Sequence, residues 1–160
     1  MVNINSIINF LKEKKEVSLN SNELYELLKK YNSNDWKQNI SFDETNYKKN
    51  LVFRNDKFEI FIVCWSSKQG SLIHDHSSNG CILKILKGKL TEYRYDINNL
   101  ELMELSSLPK NTISYIDNKI GYHKIINDTK KDTISLHIYS PPNYKGNIYF
   151  ANNEIDTTNN

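Results

Sequence analysis

The stretch Phe58-Glu59-Ile60-Phe61-Ile62-Val63-Cys64-Trp65 decides the fold class. Its β-branched and aromatic texture reads as a strand, and the chain around it is broken by Asn, Asp and Gly turn residues. Working outward, six more short candidates follow: Leu72 to His76, Cys81 to Leu86, Leu90 to Tyr95, Thr112 to Ile116, Tyr122 to Ile126 and Thr133 to Tyr139. Regular short strands without helical interludes point to an antiparallel sandwich or small barrel. The other direction changes character before Phe42. Ile4, Ile7, Ile8 and Leu11 follow the i, i+3, i+4, i+7 pattern of an amphipathic helix. Leu24, Leu27, Leu28 and Tyr31 repeat it after a cap signal at Asn20 and Ser21, with Glu23 placed to bond back to Asn20. Both stripes read as core packing. The expected organisation is one domain over residues 1–151, helical over 1–40 and barrel over about 42–150, with a disordered tail at 152–160.

At 160 residues the chain has the length of one ordinary domain, enough to bury roughly 70% of its unfolded surface. Its 21 basic and 19 acidic residues are scattered, so no nucleic-acid footprint is expected. The longest apolar run, Ile60 to Trp65, is far short of the roughly 20 residues that span a bilayer. A soluble, cytoplasmic protein without a membrane partner is therefore expected. Two cysteines, Cys64 and Cys81, are too few for a disulfide framework and read as reduced thiols. Lys, Asn and Ile are heavily used while Arg occurs only at 54 and 94, the pattern of an A/T-rich gene. A Lys in place of an Arg is then weakly informative.

Two of the four histidines form His74-Asp75-His76. Residues two apart on a strand share a face, so both imidazoles can converge on one point while Asp75 faces away. Neutral imidazoles suit first-row transition ions. His123, on a later strand, can lie across a barrel from that pair, although alone it reads as an ordinary histidine. In Ser135-Leu136-His137-Ile138-Tyr139, alternation puts Ser135, His137 and Tyr139 on one face and Leu136 and Ile138 on the other. If the apolar face packs on the helices, the polar row points into the barrel as a hydrogen-bond chain that fixes the Tyr139 phenol. Periodicity alone is equally consistent with a solvent-exposed polar face.

Cys64-Trp65, Gly70-Ser71-Leu72-Ile73-His74-Asp75-His76, Cys81 and Leu86-Lys87-Gly88 together resemble the signature of the cysteine dioxygenase type I family. Tyr115 to His123 and Ser135-Leu136-His137-Ile138-Tyr139-Ser140-Pro141-Pro142 resemble its later motifs in order and spacing. Cys81 stands where generic cupins usually place a glutamate ligand. The resemblance implies a mainly β, cupin-type, jelly-roll-like antiparallel barrel with N-terminal helices. It implies one Fe(II) per chain on His74, His76 and His123, and oxidation of free L-cysteine by O2 to cysteine sulfinic acid. Three neutral imidazoles would leave the ion its full +2 charge to attract a thiolate.

Cys81 and Tyr139 match the family's thioether-crosslinked pair, which would fix the phenol as a donor to substrate or oxygen. Taken alone, Cys81 reads as a small core residue. His137 and Ser135 match the residues that orient the tyrosine, and Trp65 and Tyr47 match positions bordering the substrate. Lys49 stands where the family carries the arginine that clamps the substrate carboxylate. A point charge replaces a two-donor fork there, unless Arg54 or Arg94 reaches in. Gly146 falls near the family's second cysteine. L-cysteine and O2 are the expected partners of a monomer. A dioxygenase for another small thiol such as 3-mercaptopropionate and a non-catalytic metal-binding cupin are the alternatives.

Overall fold

The computed structural model describes residues 1–151, so the tail expected at 152–160 lies outside the described residues. Helix α1 spans Ile4–Glu13, and its N-terminus is closed by a reciprocal box between Asn3 and Ser6. Helix α2 spans Asn22–Lys30, with Ser21 capping the amide of Leu24. Glu23 does not reach back to Asn20 as expected; it pairs with Lys14, which ties α2 to the end of α1. A short 3₁₀ turn, Asp35–Asn39, buries Trp36.

Ten strands follow: β1 Lys48–Arg54, β2 Glu59–Trp65, β3 Ile73–His74, β4 Cys81–Lys87, β5 Lys89–Tyr95, β6 Leu102–Pro109, β7 Ile113–Ile116, β8 Tyr122–Ile126, β9 Thr133–Tyr139 and β10 Ile148–Tyr149. They form two five-stranded sheets, ordered β1-β2-β9-β4-β7 and β10-β3-β8-β5-β6, whose paired strands run antiparallel. The seven expected strands are present. β1, β6 and β10 are additional, and the strand expected over Leu72 to His76 is confined to Ile73–His74. Gly88 makes the tight β4–β5 turn at φ +78°, and a Cβ there would meet Thr133 Oγ1 at 2.4 Å.

Period-two alternation sorts the first sheet into two cores. Ile60, Ile62 and Cys64 of β2, Ile82 and Leu86 of β4, and Ile134, Leu136 and Ile138 of β9 pack on the helical stripes. Val63, Trp65, Leu83 and Ile85 point the other way and meet Leu90, Leu108 and Ile125 from the second sheet. Lys84 is the polar exception on the helical side, where its buried ammonium donates to the carbonyls of Leu28 and Tyr31 at the end of α2. Because the helices cover one face of the first sheet, the opposite face of β9 is enclosed between the sheets. Ser135 and His137 are accordingly buried, which resolves the inward-or-outward alternative for that row. Among the described residues no helix is long and apolar enough to cross a membrane.

Candidate metal centre

His74 on β3 stands opposite His123 on β8 in the ladder, and His76 lies two residues beyond His74, past the strand end. One nitrogen from each of the three rings lies within 4.8 Å of the others. Proton accounting shows what this cluster can hold. His74 Nδ1 lies 2.8 Å from the carbonyl oxygen of Leu72, which only accepts, so the ring proton sits on Nδ1. His123 Nδ1 lies 2.8 Å from Glu92 Oε2 and donates for the same reason. Both rings thus turn a bare Nε2 lone pair inward, and these two nitrogens face each other at 3.1 Å.

A proton between them would require an imidazolium. Burial above all holds both His74 and His123 below the ordinary histidine range. Two nitrogens bound at right angles to one ion about 2.1 Å away are about 3 Å apart, so the spacing fits a transition ion. His76 completes the case: both of its ring nitrogens are buried with no hydrogen-bond partner, and burial pushes its pKa down to about 2. Buried polar nitrogens without partners are rare and call for a ligand. Residues and site fit a divalent metal bound by neutral imidazoles.

The surrounding chain fixes these rings. Asn118 pairs with the main chain of His76 on both sides, its Oδ1 accepting from the amide at 2.8 Å and its Nδ2 donating to the carbonyl at 3.0 Å. This side-chain amide takes the place of a ladder partner and explains why β3 ends early. Asp75 faces away from the two histidines, as alternation requires, and accepts four hydrogen bonds. They come from the Asn147 amide at 2.7 Å, Asn147 Nδ2 at 2.8 Å, and the phenols of Tyr144 and Tyr149 at 3.0 Å each. Burial alone would raise the Asp75 carboxyl, but these bonds from Asn147, Tyr144 and Tyr149 hold it below the usual range. β10 is thereby strapped to β3. Gly146 lies beneath this strap, where a Cβ would be 3.2 Å from the Asp75 carbonyl oxygen and 3.9 Å from His74 Cβ.

The opposite wall comes from the first sheet. Trp65 Nε1 donates to Ser135 Oγ at 2.9 Å, Ser135 Oγ lies 2.9 Å from His137 Nε2, and His137 Nδ1 lies 3.1 Å from the Tyr139 hydroxyl. An indole N–H can only donate, so Ser135 Oγ accepts from Trp65; when Ser135 in turn donates to His137 Nε2, His137 Nδ1–H donates to the phenol oxygen. In that tautomer the Tyr139 O–H is available to a further acceptor. Burial keeps His137 well below the ordinary histidine range, so the ring is neutral, and raises Tyr139 well above the ordinary phenol range. Cys81 is the direct cross-strand partner of Tyr139, and burial pushes its thiol up to about 12.

The two walls line a narrow cavity of about 20 Å³. Lys49, Tyr47 and Trp65 line it together with His74, His123, His137 and Tyr139. Tyr47 stacks on Trp65 with centroids 4.5 Å apart, and Lys49 Nζ lies 4.6 Å from the Tyr139 ring centroid. Neither arginine reaches in as a clamp. Arg54 pairs with Glu59 at 2.7 Å, and Arg94 is committed to Glu92, Ser114 and the carbonyl of Tyr115. Sequence reasoning gave no role to Glu92 or Asn118. The groups they position, His123 and the His76 main chain, lie 31 and 42 residues away, and the accessible signal is the charged pair Glu92 and Arg94 sharing one face of an expected strand.

Solved structures with low sequence identity share this fold. An uncharacterized conserved protein with a double-stranded β-helix domain from Klebsiella pneumoniae superposes with TM-score 0.60 at 10% identity, covering 71% of this chain and 93% of that one. A cupin superfamily protein from Desulfitobacterium hafniense superposes with TM-score 0.52 at 14% identity, covering 63% and 83%. In sequence, the chain is 38% identical over 135 residues to cysteine dioxygenase type 1 of Danio rerio, covering 78% of this chain and 67% of that protein. It is 37% identical over 133 residues to the Rattus norvegicus protein of the same name, covering 78% and 66%. The aligned part thus spans about two thirds of these relatives. The family model described as cysteine dioxygenase type I matches residues 1–151, a range that takes in the histidine cluster and the wall facing it, and the chain belongs to that family.

Proposed function

We propose that this chain is an iron-dependent cysteine dioxygenase that adds both atoms of O2 to the sulfur of free L-cysteine, giving cysteine sulfinic acid. The observation that carries the reading is the meeting of two unlike walls: three histidines with bare inward nitrogens, and a phenol held by Trp65, Ser135 and His137. His74, His76 and His123 would hold one Fe(II). Held there, the ion would supply the chemistry that brings thiolate and O2 together, the proximity component of catalysis.

The protein's own groups orient the reactants. Lys49 offers an ammonium to the substrate carboxylate. Tyr139 donates its free O–H to the bound substrate or oxygen, from a position set by His137. Trp65 and Tyr47 close one side and exclude water. Cys81, opposite Tyr139 in the ladder, would join the phenol ring by a thioether with loss of two hydrogens to O2-derived oxidant. The family relationship fits a cytoplasmic protein.

Lys49 favours weighing a second substrate. A point charge in place of a fork gives up about 1.5–3 kcal/mol of charge-assisted hydrogen bonding, on the order of ten- to a hundredfold in affinity. 3-Mercaptopropionate carries the same thiol and carboxylate without the amine. Oxygen uptake by Fe(II)-loaded protein, with L-cysteine and 3-mercaptopropionate in parallel and sulfinates quantified by mass spectrometry, decides the matter. Preference for cysteine is expected. Preference for 3-mercaptopropionate keeps the chemistry and changes the substrate, and no uptake with either leaves a metal-binding cupin without turnover.

A further inference from the structure

Glu92 on β5 is 2% exposed, and its two carboxylate oxygens serve different partners. Oε2 accepts from His123 Nδ1 at 2.8 Å; Oε1 accepts from Arg94 Nε at 3.0 Å and from Ser114 Oγ at 3.3 Å. The backbone register explains the reach. Arg94 is the direct partner of His123 across β5 and β8 and Glu92 is the partner of Ile125, so Glu92 sits diagonally from His123 on the same face. Arg94 continues through Nη2 to Ser114 Oγ at 3.0 Å and the Tyr115 carbonyl at 2.9 Å, both on β7. Since β5 belongs to one sheet and β7 to the other, the carboxylate is braced from both.

The three histidines of the cluster are unequal in this respect. His74 leans on a backbone carbonyl, His76 has no ring partner, and among the described residues His123 alone contacts a carboxylate. A buried carboxylate is costly unless charge and hydrogen bonds meet it. Arg94 does so through Nε–H, while its Nη2 reaches Ser114 and the Tyr115 carbonyl, a planar spread of donors that a lysine could not reproduce. In a chain that otherwise uses lysine almost throughout, this position keeps one of its two arginines.

We propose that Glu92 is a positioning residue for the metal: braced by Arg94 and Ser114, it keeps the His123 proton on Nδ1 and turns Nε2 toward the ion as the strongest donor of the three. The carboxylate makes the imidazole a better electron donor, and Arg94, sharing that carboxylate, moderates the effect. This inference rests on the reading of the histidine cluster as a metal site.

The test is Co(II) titration of the full chain, with affinity from chelator competition and the visible ligand-field bands recorded, for the unaltered protein, Glu92→Ala and Glu92→Gln. Glu92→Ala should weaken Co(II) binding roughly 10- to 100-fold and shift the bands. Glu92→Gln retains an acceptor oxygen and should recover part of the loss. Melting of the metal-free proteins, read alongside, separates a ligand effect from general destabilisation. Should the variants not fold, nitrogen-detected NMR of the unaltered metal-free protein still decides: a proton held on His123 Nδ1 before any metal is added supports the role, and a proton on Nε2 overturns it. Co(II) affinities within twofold across all three proteins also overturn it. Failure of the unaltered protein to bind Co(II) removes the metal reading itself and this inference with it.

Discussion

His137 and His76 are both buried inside the same barrel, yet their hydrogen bonding is opposite. His137 has both ring nitrogens engaged, one with Ser135 and one with Tyr139, and its wall is a closed chain of donors and acceptors. His76 has neither nitrogen engaged, and His74 and His123 each spend one nitrogen on an acceptor that leaves the other bare. Burial and residue type do not separate a ligand from a scaffold histidine here. The difference lies in where each lone pair ends up.

The contrast can be broken most decisively at His76. His76→Ala should lower Fe(II) affinity by more than the roughly 100-fold at which an outer partner acts, and sulfinate formation should disappear with the metal. Metal-free melting should change little, because the side chain removed held two unpartnered nitrogens. Full metal content by elemental analysis would erase the distinction between the walls. His137→Phe is the converse. Metal content should remain one per chain while turnover falls on the order of 100-fold, as an oriented donor is lost. Stability should drop by about 1–3 kcal/mol for each polar group left buried without a partner, and loss of metal instead would show that the two walls are not separable.

The third test is smaller and concerns pH. Burial holds the Lys49 ammonium below the ordinary lysine value, and a base keeps its charge below its pKa and loses it above. A clamp at Lys49 would therefore fade as pH rises, earlier than for a solvated lysine, and KM for L-cysteine should climb. Lys49→Arg should move that climb out of reach and improve affinity by up to about tenfold at high pH. The ratio of the two profiles cancels the titration of the substrate, and superimposable profiles would remove Lys49 from carboxylate binding.

Much of this site was legible from local pattern. Alternation at 135–139 shows which three residues share a face, and the helical stripes at residues 4–11 and 24–31 supply the layer that forces that face inward. The spacing of His74-Asp75-His76 allows a convergent pair, and it took the later histidine and the family motifs to single the pair out. What pattern could not reach is contact at long range or at strand edges. Glu92 meets His123 across 31 residues, and only the β5–β8 register brings them together. β1 opens on Lys48, Lys49 and Asn50, and β6 is largely exposed, so neither shows the apolar density of β2. β10 has two residues and depends on Asp75 for its place. The early end of β3 depends on Asn118, a side chain acting as backbone partner.

The Asp75 strap has a consequence for biosynthesis. His74, His76 and His123 all precede Tyr144, Asn147 and Tyr149 in the chain, so a ribosome finishes the three nitrogen donors before it makes the groups that fasten β10 over β3. Metal offered during translation would meet His74 and His76 before they are fastened, whereas metal offered afterwards would meet them fastened. Comparing iron uptake by the nascent chain with uptake by the finished apoprotein, for the native sequence and Asp75→Asn, would turn a static set of hydrogen bonds into an order of events.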